Sequence, residues 1–417
     1  MKKLILILFA FGYISLQAEK ILIPMDLTQT NHLKAYGVAF WIIKNGQTVD
    51  WLLNYRGGSF MADASDKIAS ECRIRGVSFE SLSEGSASAI IAEVKSEDKN
   101  MDVVKLEKVP KIAIYAPPGS LPWDDAVRLA LEYAEVDHTV IYDEEVINGK
   151  LKEYDWVHLH HEDFTGQYSK FFSAFANAPW YIQQVAMSEG IAKKLGFNKV
   201  SELKRAVVLK MREFIANGGY LFAMCNGTDT FDISLATQKT DICEQMYDGD
   251  GADPNANNKL DYTQTLAFEN FRIDLDPYGR EFSDIDTGPT SIANPENDYF
   301  TLFDFSAKYD PVPTMLTQNH VNLIQGFVGV TTNFRKSIIK KSVILLAQRD
   351  GTDEVRYIHG NFGRGTFTWF SGHDPEDYTH HIGDPTTDLN LHKRSPGYRL
   401  ILNNILFPAA KKKQQKT

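Results

Sequence analysis

Apolar positions along this chain gather into short runs of period two and longer stretches of period near 3.6, and the two kinds alternate. Over residues 19–109 the short runs fall at Ile21-Leu22-Ile23, at 48–55, at 77–81 and at 102–106. Helical stretches separate them at 32–44, 65–73 and 88–94. The sharpest punctuation is Arg56-Gly57-Gly58-Ser59. A glycine pair reads as a bend there, because no GxxxxGK[ST] pattern surrounds it to cradle phosphate. The pattern predicts a small N-terminal α/β domain over 19–109.

From Val109-Pro110 onward the rhythm is more regular. Predicted strands at 111–115, 139–142 and 155–160 are interleaved with helices at 124–134 and 144–151. A long helix follows over 202–216, with Leu203, Val207, Met211, Phe214 and Ile215 on one stripe. Ser201 offers it a cap, and Asn217-Gly218-Gly219 stops it. Strands at 220–224 and 366–370 and a closing helix at 396–407 complete the series. Repeated βα units of this length predict a flavodoxin-like parallel sheet with helices on both faces, over 110–409. Residues 238–336 break the rhythm and read as an insertion placed to lid a site. Its acidic stretch Asp248 to Asn257 lacks the glycine and glutamate of a calcium loop and reads as a solvated loop.

Lys2 and Lys3, an apolar run of about 13 residues and the small Ala18 predict an export signal over 1–18. The run is shorter than the ~20 residues a membrane-spanning helix needs. The expectation is a periplasmic or secreted chain that does not span a membrane once the signal is removed. A net charge of −10 argues against a nucleic-acid partner. The basic tail over 410–417, with Lys411, Lys412, Lys413 and Lys416, reads as a frayed terminus. Three cysteines, Cys72, Cys225 and Cys243, are an odd number for an oxidising compartment. At least one thiol needs another explanation, and Cys72 with Cys243 is the pair left if Cys225 works as a thiol.

The chemistry-bearing residues follow strands. Cys225-Asn226-Gly227 comes directly after the strand 220–224 and before a helical stretch at 228–236, which Thr228 or Asp229 can cap. Strand, sharp turn and helix form a nucleophile elbow. The turn exposes the side chain at the sheet edge, and the helix N-terminus favours thiolate. His373, just past the strand 366–370, is the expected base, with Asp374 or Glu376 as the acid that orients it. A second cluster raises a rival chemistry. His158, His160 and His161 end a strand, and His380 and His381 lie in a later loop; together they offer ligands for Zn²⁺ or another divalent metal. No motif predicts an organic cofactor. A small-molecule substrate is expected, and nothing in the pattern fixes an oligomeric state.

Over about 111–408 the chain resembles the class I glutamine amidotransferase-like superfamily, through the elbow Ala223-Met224-Cys225-Asn226-Gly227 and the late His373. The Gly363-Arg364-Gly365 hairpin before Ser371-Gly372-His373 is similar to the trehalose-utilisation branch. That resemblance implies a cysteine hydrolase acting on an amide or related acyl group, or a sugar- or metal-binding module whose elbow is vestigial. The whole chain also resembles exported bacterial proteins labelled asparagine synthetase B, although it has no SGGxDS loop and no cysteine that processing would place at the N-terminus. Three further departures stand out. The third strand ends in His160-His161-Glu162-Asp163 where the family places glycines. The motif His373-Asp374-Pro375-Glu376 is one residue longer than His-Pro-Glu. The stretch 116–122 carries no acid, unlike the glyoxalase and protease branch.

Overall fold

The computed structural model describes residues 19–119, 125–287, 298–326, 329, 331–377 and 385–410. The expected signal at 1–18, the tail beyond Ala410, and both His380 and His381 lie outside the described residues.

The N-terminal sheet is built from β1 (Lys20–Ile23), β2 (Val49–Leu53), β3 (Ser59–Asp63), β4 (Glu80–Leu82) and β5 (Asp102–Leu106), in the order β4-β1-β3-β2-β5 with antiparallel pairing. Helices α1 (His32–Lys44), α2 (Asp66–Arg75) and α3 (Glu84–Lys95) accompany it. The Gly57-Gly58 bend turns β2 back into β3, a strand the hydrophobic pattern did not announce. A Cβ on Gly57 would lie 2.4 Å from the Met25 carbonyl oxygen, at φ +76°, so glycine is required there.

The larger sheet begins with β6 (Ile112–Tyr115), α4 (Ala126–Ala134), β7 (Thr139–Ile141), α5 (Asp143–Ile147) and β8 (Trp156–Leu159). Helices α6 (Phe172–Phe175), α7 (Pro179–Lys194) and α8 (Val200–Ala216) lead to β9 (Tyr220–Met224), α9 (Asn226–Ala236) and α10 (Gln245–Asp248). The expected insertion then supplies β10 (Tyr299–Leu302), α11 (Pro311–Leu316), β11 (Leu323–Gln325) and β12 (Phe334–Arg335). The chain closes with β13 (Ile344–Gln348), β14 (Glu354–Phe362), β15 (Gly365–Phe370) and α12 (Pro396–Leu406).

The strands run β11-β10-β13-β14-β15-β9-β8-β6-β7, with β12 beside β14. From β15 to β7 the pairing is parallel, and from β14 to β11 it is antiparallel. The molecule is therefore α/β with a mixed sheet. The wholly parallel sheet expected from sequence is corrected, because the insertion and the chain after it add antiparallel strands.

The parallel strands are buried on both faces, which explains their near-continuous apolar sequence. On β9, Phe222 and Met224 join the core beneath α1, α4 and α12, while Leu221 and Ala223 join the core beneath α8. Helix α1 lies between the N-terminal sheet and the larger one and is buried along nearly its whole length. The predicted caps shift. Cys225 itself holds the N-cap position of α9, in place of Thr228 or Asp229, and Lys199 precedes α8 in place of Ser201. Among the described residues no helix is long and apolar enough to cross a membrane.

Several histidines are buried as neutral rings. His32 stacks on His320 at 4.4 Å, and an Arg399 nitrogen lies 3.0 Å from His320 Nδ1. Burial and then the Arg399 charge push His32 down to about 3 and His320 to about 4. Burial alone pushes His359 down to about 4. The unfolded chain takes up these protons near pH 6.5 while the folded chain does not, so this stability is present at neutral pH and is lost as pH falls from about 6.5 toward 4. Each such histidine steepens the loss by about 1.4 kcal/mol per pH unit. Urea unfolding at pH 7.5 and pH 5 should show the decline. His359→Gln, which can still reach Thr368, should flatten it by about one histidine's share; an unchanged slope would show that His359 is not held neutral.

Candidate functional site

Strand β9 ends at Met224, and the chain reverses at one residue. Cys225 sits at φ 49°, ψ −137°, a region that L side chains rarely adopt and that costs roughly 1–3 kcal/mol. The geometry persists because its neighbours hold it. The Gly227 amide donates to the His160 carbonyl at 2.6 Å, and the Thr228 hydroxyl donates to the Cys225 carbonyl at 2.7 Å. Helix α9 begins at once, so the positive end of its dipole lies at the cysteine. Cys225 is 1% exposed.

The flanking strands deliver histidines to the same edge. In the parallel register Leu159 of β8 pairs with Ala223, and Phe370 of β15 pairs with Met224. His160 and His161 therefore follow β8, and Ser371 to His373 follow β15, at the level where Cys225 ends β9. The His160 and His373 rings meet at 4.3 Å between centroids, and His161 and His373 lie at 5.7 Å. The contact bridges the two strands on either side of the one that carries Cys225.

The turn before His373 is fixed from behind. Ser371 donates through its amide and hydroxyl to the Arg356 carbonyl, at 2.8 and 3.1 Å, and the Gly372 amide donates to Thr331 at 2.8 Å. The Arg356 guanidinium is buried against the Asp298 carboxylate and the Thr332 carbonyl. Thr331, Thr332 and Asp298 all belong to the expected insertion, which thus helps to seat His373. The two acids after His373 are engaged within their own segment. Asp374 accepts from the Glu376 amide at 2.9 Å and from the Thr387 hydroxyl at 2.8 Å, and Glu376 lies 3.0 Å from His392 Nδ1.

One site residue escaped the sequence reading. Asp125 caps α4, its Oδ1 accepting from the Val127 and Arg128 amides at 2.8 and 3.0 Å. The same oxygen lies 3.1 Å from His160 Nδ1 and 3.3 Å from His158 Nε2. Burial opposes its ionisation, but the two histidines outweigh burial and hold the carboxyl well below the usual carboxylate range. Burial likewise keeps His160 neutral, down to about 4. With Nδ1–H donated to Asp125, His160 carries its lone pair on Nε2. That buried atom has no hydrogen-bond partner among the described residues.

The expected metal ligands are therefore regrouped. Nitrogens of His160, His161 and His373 lie within 4.8 Å of one another, whereas His158 joins Asp125. His158 also directs Nδ1 to the Phe222 carbonyl at 3.1 Å, which fits a packing and orienting part better than a ligand's. A signal for Asp125 did exist. It follows the first parallel strand, and β6 and β8 are neighbours where the strand order reverses, the crevice where open α/β sheets bind ligands.

Cys72, Cys225 and Cys243 are in no disulfide among the described residues, so the Cys72–Cys243 pair does not form. Burial pushes Cys72 up to about 12 and Cys243 well above its ordinary value. The acidic stretch is not simply solvated, because Lys199 Nζ draws in Asp241 at 2.9 Å, Asp248 at 3.0 Å and also Asp250.

Comparison with protein-family models finds no match, and comparison with curated proteins finds none. Among solved structures the chain is similar to two from Salmonella typhimurium. Cytoplasmic protein STM3548 shares 11% identity at a TM-score of 0.35, over 73% of this chain and 100% of that one. Cytoplasmic protein STM1381, from strain LT2, shares 13% identity at a TM-score of 0.36, over 72% of this chain and 100% of that one.

The elbow depends on close backbone approach. A Cβ on Gly227 would lie 2.4 Å from the His160 oxygen, a backbone atom that cannot swing aside. Gly227→Ala should destabilise the fold by about 1–3 kcal/mol, seen as a lowered urea midpoint. An unchanged midpoint would mean that the elbow relaxes freely and is not a constrained turn.

Proposed function

We propose that this chain is an exported cysteine hydrolase of the class I glutamine amidotransferase-like type, near the trehalose-utilisation branch, acting on an amide or related acyl substrate. The backbone of Cys225 carries the reading. A buried non-glycine residue held at φ 49° between a strand and a helix is the conformation a nucleophile needs to stand at the sheet edge. The parallel strands supply a second support. Taken in chain order they are arranged 2-1-3-4-5, as in a flavodoxin-like core.

In this reading Cys225 gives its thiol proton to His373, and the resulting thiolate attacks the acyl carbon. The tetrahedral intermediate collapses as the C–N bond breaks, and His373 returns that proton to the departing amine. Water then attacks the thioester carbon and gives its proton to His373. The C–S bond breaks, the acid leaves, and the thiol is restored. Asp374 and Glu376 act by holding the loop that carries His373.

The meeting of His160 with His373, and the 1% exposure of Cys225, favour a second reading: a binding module for a sugar or a metal in which the thiol is not used. Thiol labelling separates the two. Burial disfavours thiolate at Cys72 and Cys243, so a small alkylating reagent at pH 7 should modify Cys225 at least ~10-fold faster than either, with an apparent pKa below ~8.5. His373→Ala should slow that labelling by about 10-fold. A Cys225 that reacts only after denaturation would leave the binding module standing.

A further inference from the structure

We infer that His160, His161 and His373 form a binding site for a zinc-class divalent cation, with Asp125 as the group that orients His160. The inference is independent of Cys225 chemistry and stands or falls with the imidazoles.

Three observations carry it. First, the three side chains arrive from two strand ends, His160 and His161 after β8 and His373 after β15, and their nitrogens lie within 4.8 Å of one another. A single ion can gather nitrogens from that spacing by modest side-chain rotation, since zinc holds imidazole nitrogen at about 2.0–2.1 Å. Second, His160 is 2% exposed, and its Nε2 has no hydrogen-bond partner among the described residues. A buried polar atom left that way is destabilising, and a bound cation would remove that cost. Third, the other nitrogen of the same ring lies 3.1 Å from the buried Asp125 carboxylate. A carboxylate on the far side of a ligating imidazole fixes its tautomer and raises its basicity, which is the usual outer support of a zinc histidine.

The chemistry of the donor set narrows the ion. Neutral imidazoles suit zinc, copper, nickel and cobalt and do not suit calcium or magnesium, which take oxygen ligands. Three protein nitrogens leave a fourth position for water or for an oxygen of a bound molecule. The place is also right for a ligand. Asp125 and His160 follow β6 and β8, the adjacent strands at the point where the order reverses.

The test uses the untagged mature chain, stripped with chelator and titrated with Zn²⁺ by calorimetry. One equivalent should bind per chain. His161→Ala, at the least buried of the three positions, and His373→Ala should each weaken binding by about 100-fold or more, by removing a ligand outright. Asp125→Asn should weaken it by about 10–100-fold through the outer position, while keeping the α4 cap that asparagine can also make. Circular dichroism of each metal-free variant checks that the fold survives. Absence of saturable binding near one equivalent would overturn the assignment. So would full binding by the His161 and His373 variants, or equal loss of binding in Cys225→Ser with those histidines intact.

Discussion

The edge of the larger sheet is organised around one backbone contact, the Gly227 amide on the His160 carbonyl at 2.6 Å. It brings the first turn of α9 against the end of β8 so closely that position 227 has no room for a side chain. With α9 pinned there, the chain leaving β9 must reverse within Cys225, and the left-handed backbone of that residue follows. The same helix anchors the chain that comes after it. Asp232 accepts from the amides of Leu266, Ala267 and Phe268 at 2.7 to 2.8 Å, so the long connection to β10 is tied to the helix the elbow starts. A strained residue persists only where its surroundings over-determine it, and here they come from three separate stretches of chain.

Asp125 does for the next pair of strands what Gly227 does for β8 and β9. Its carboxylate is buried, yet it accepts from two amides of α4 and faces nitrogens of two histidines. A buried charge so surrounded is tolerable, whereas the same charge stripped of its partners would cost about 3–5 kcal/mol. The start of α4 and the end of β8 are thereby held to one another. Side chains from β8 can then lean across β9 toward β15 without the sheet edge opening.

The elements that determine themselves locally were legible. Helix α1 and strands β5 and β9 match the residues their periodicity marks, and Cys225 was readable because strand, turn and helix are adjacent in sequence. Elements stabilised by distant partners were not. The strands β10 to β14 and helix α7 passed unremarked, since strands gain much of their stability from neighbours that sequence does not reveal. Strand β3 was hidden by its own glycine bend. Asp125 fell inside the stretch read as a helix over 124–134, and its part at the site depends on β8 lying beside β6. The histidines were noticed, and period two along β8 puts His158 and His160 together on one face, where both meet the Asp125 carboxylate, at 3.3 and 3.1 Å. Their other contacts differ: His158 turns Nδ1 to the Phe222 carbonyl, and the His160 ring meets His373.

His373 stands where the two chemistries of this edge overlap. A nitrogen lone pair that coordinates a cation cannot also take a proton from a thiol, and coordination lowers the basicity of the whole ring. His160 and His161 come from one strand end and His373 from another, so His373 is the ligand whose release leaves two others in place. The loop behind it is braced by Arg356, Thr331 and Ser371, which hold the backbone at Gly372. With an ion held, His373 is a ligand and Cys225 has no base at that ring. Without the ion, the same ring, which follows the strand beside β9, is the base that the proposed hydrolase needs. If His373 serves both proposed chemistries, metal occupancy and thiol reactivity are opposing quantities.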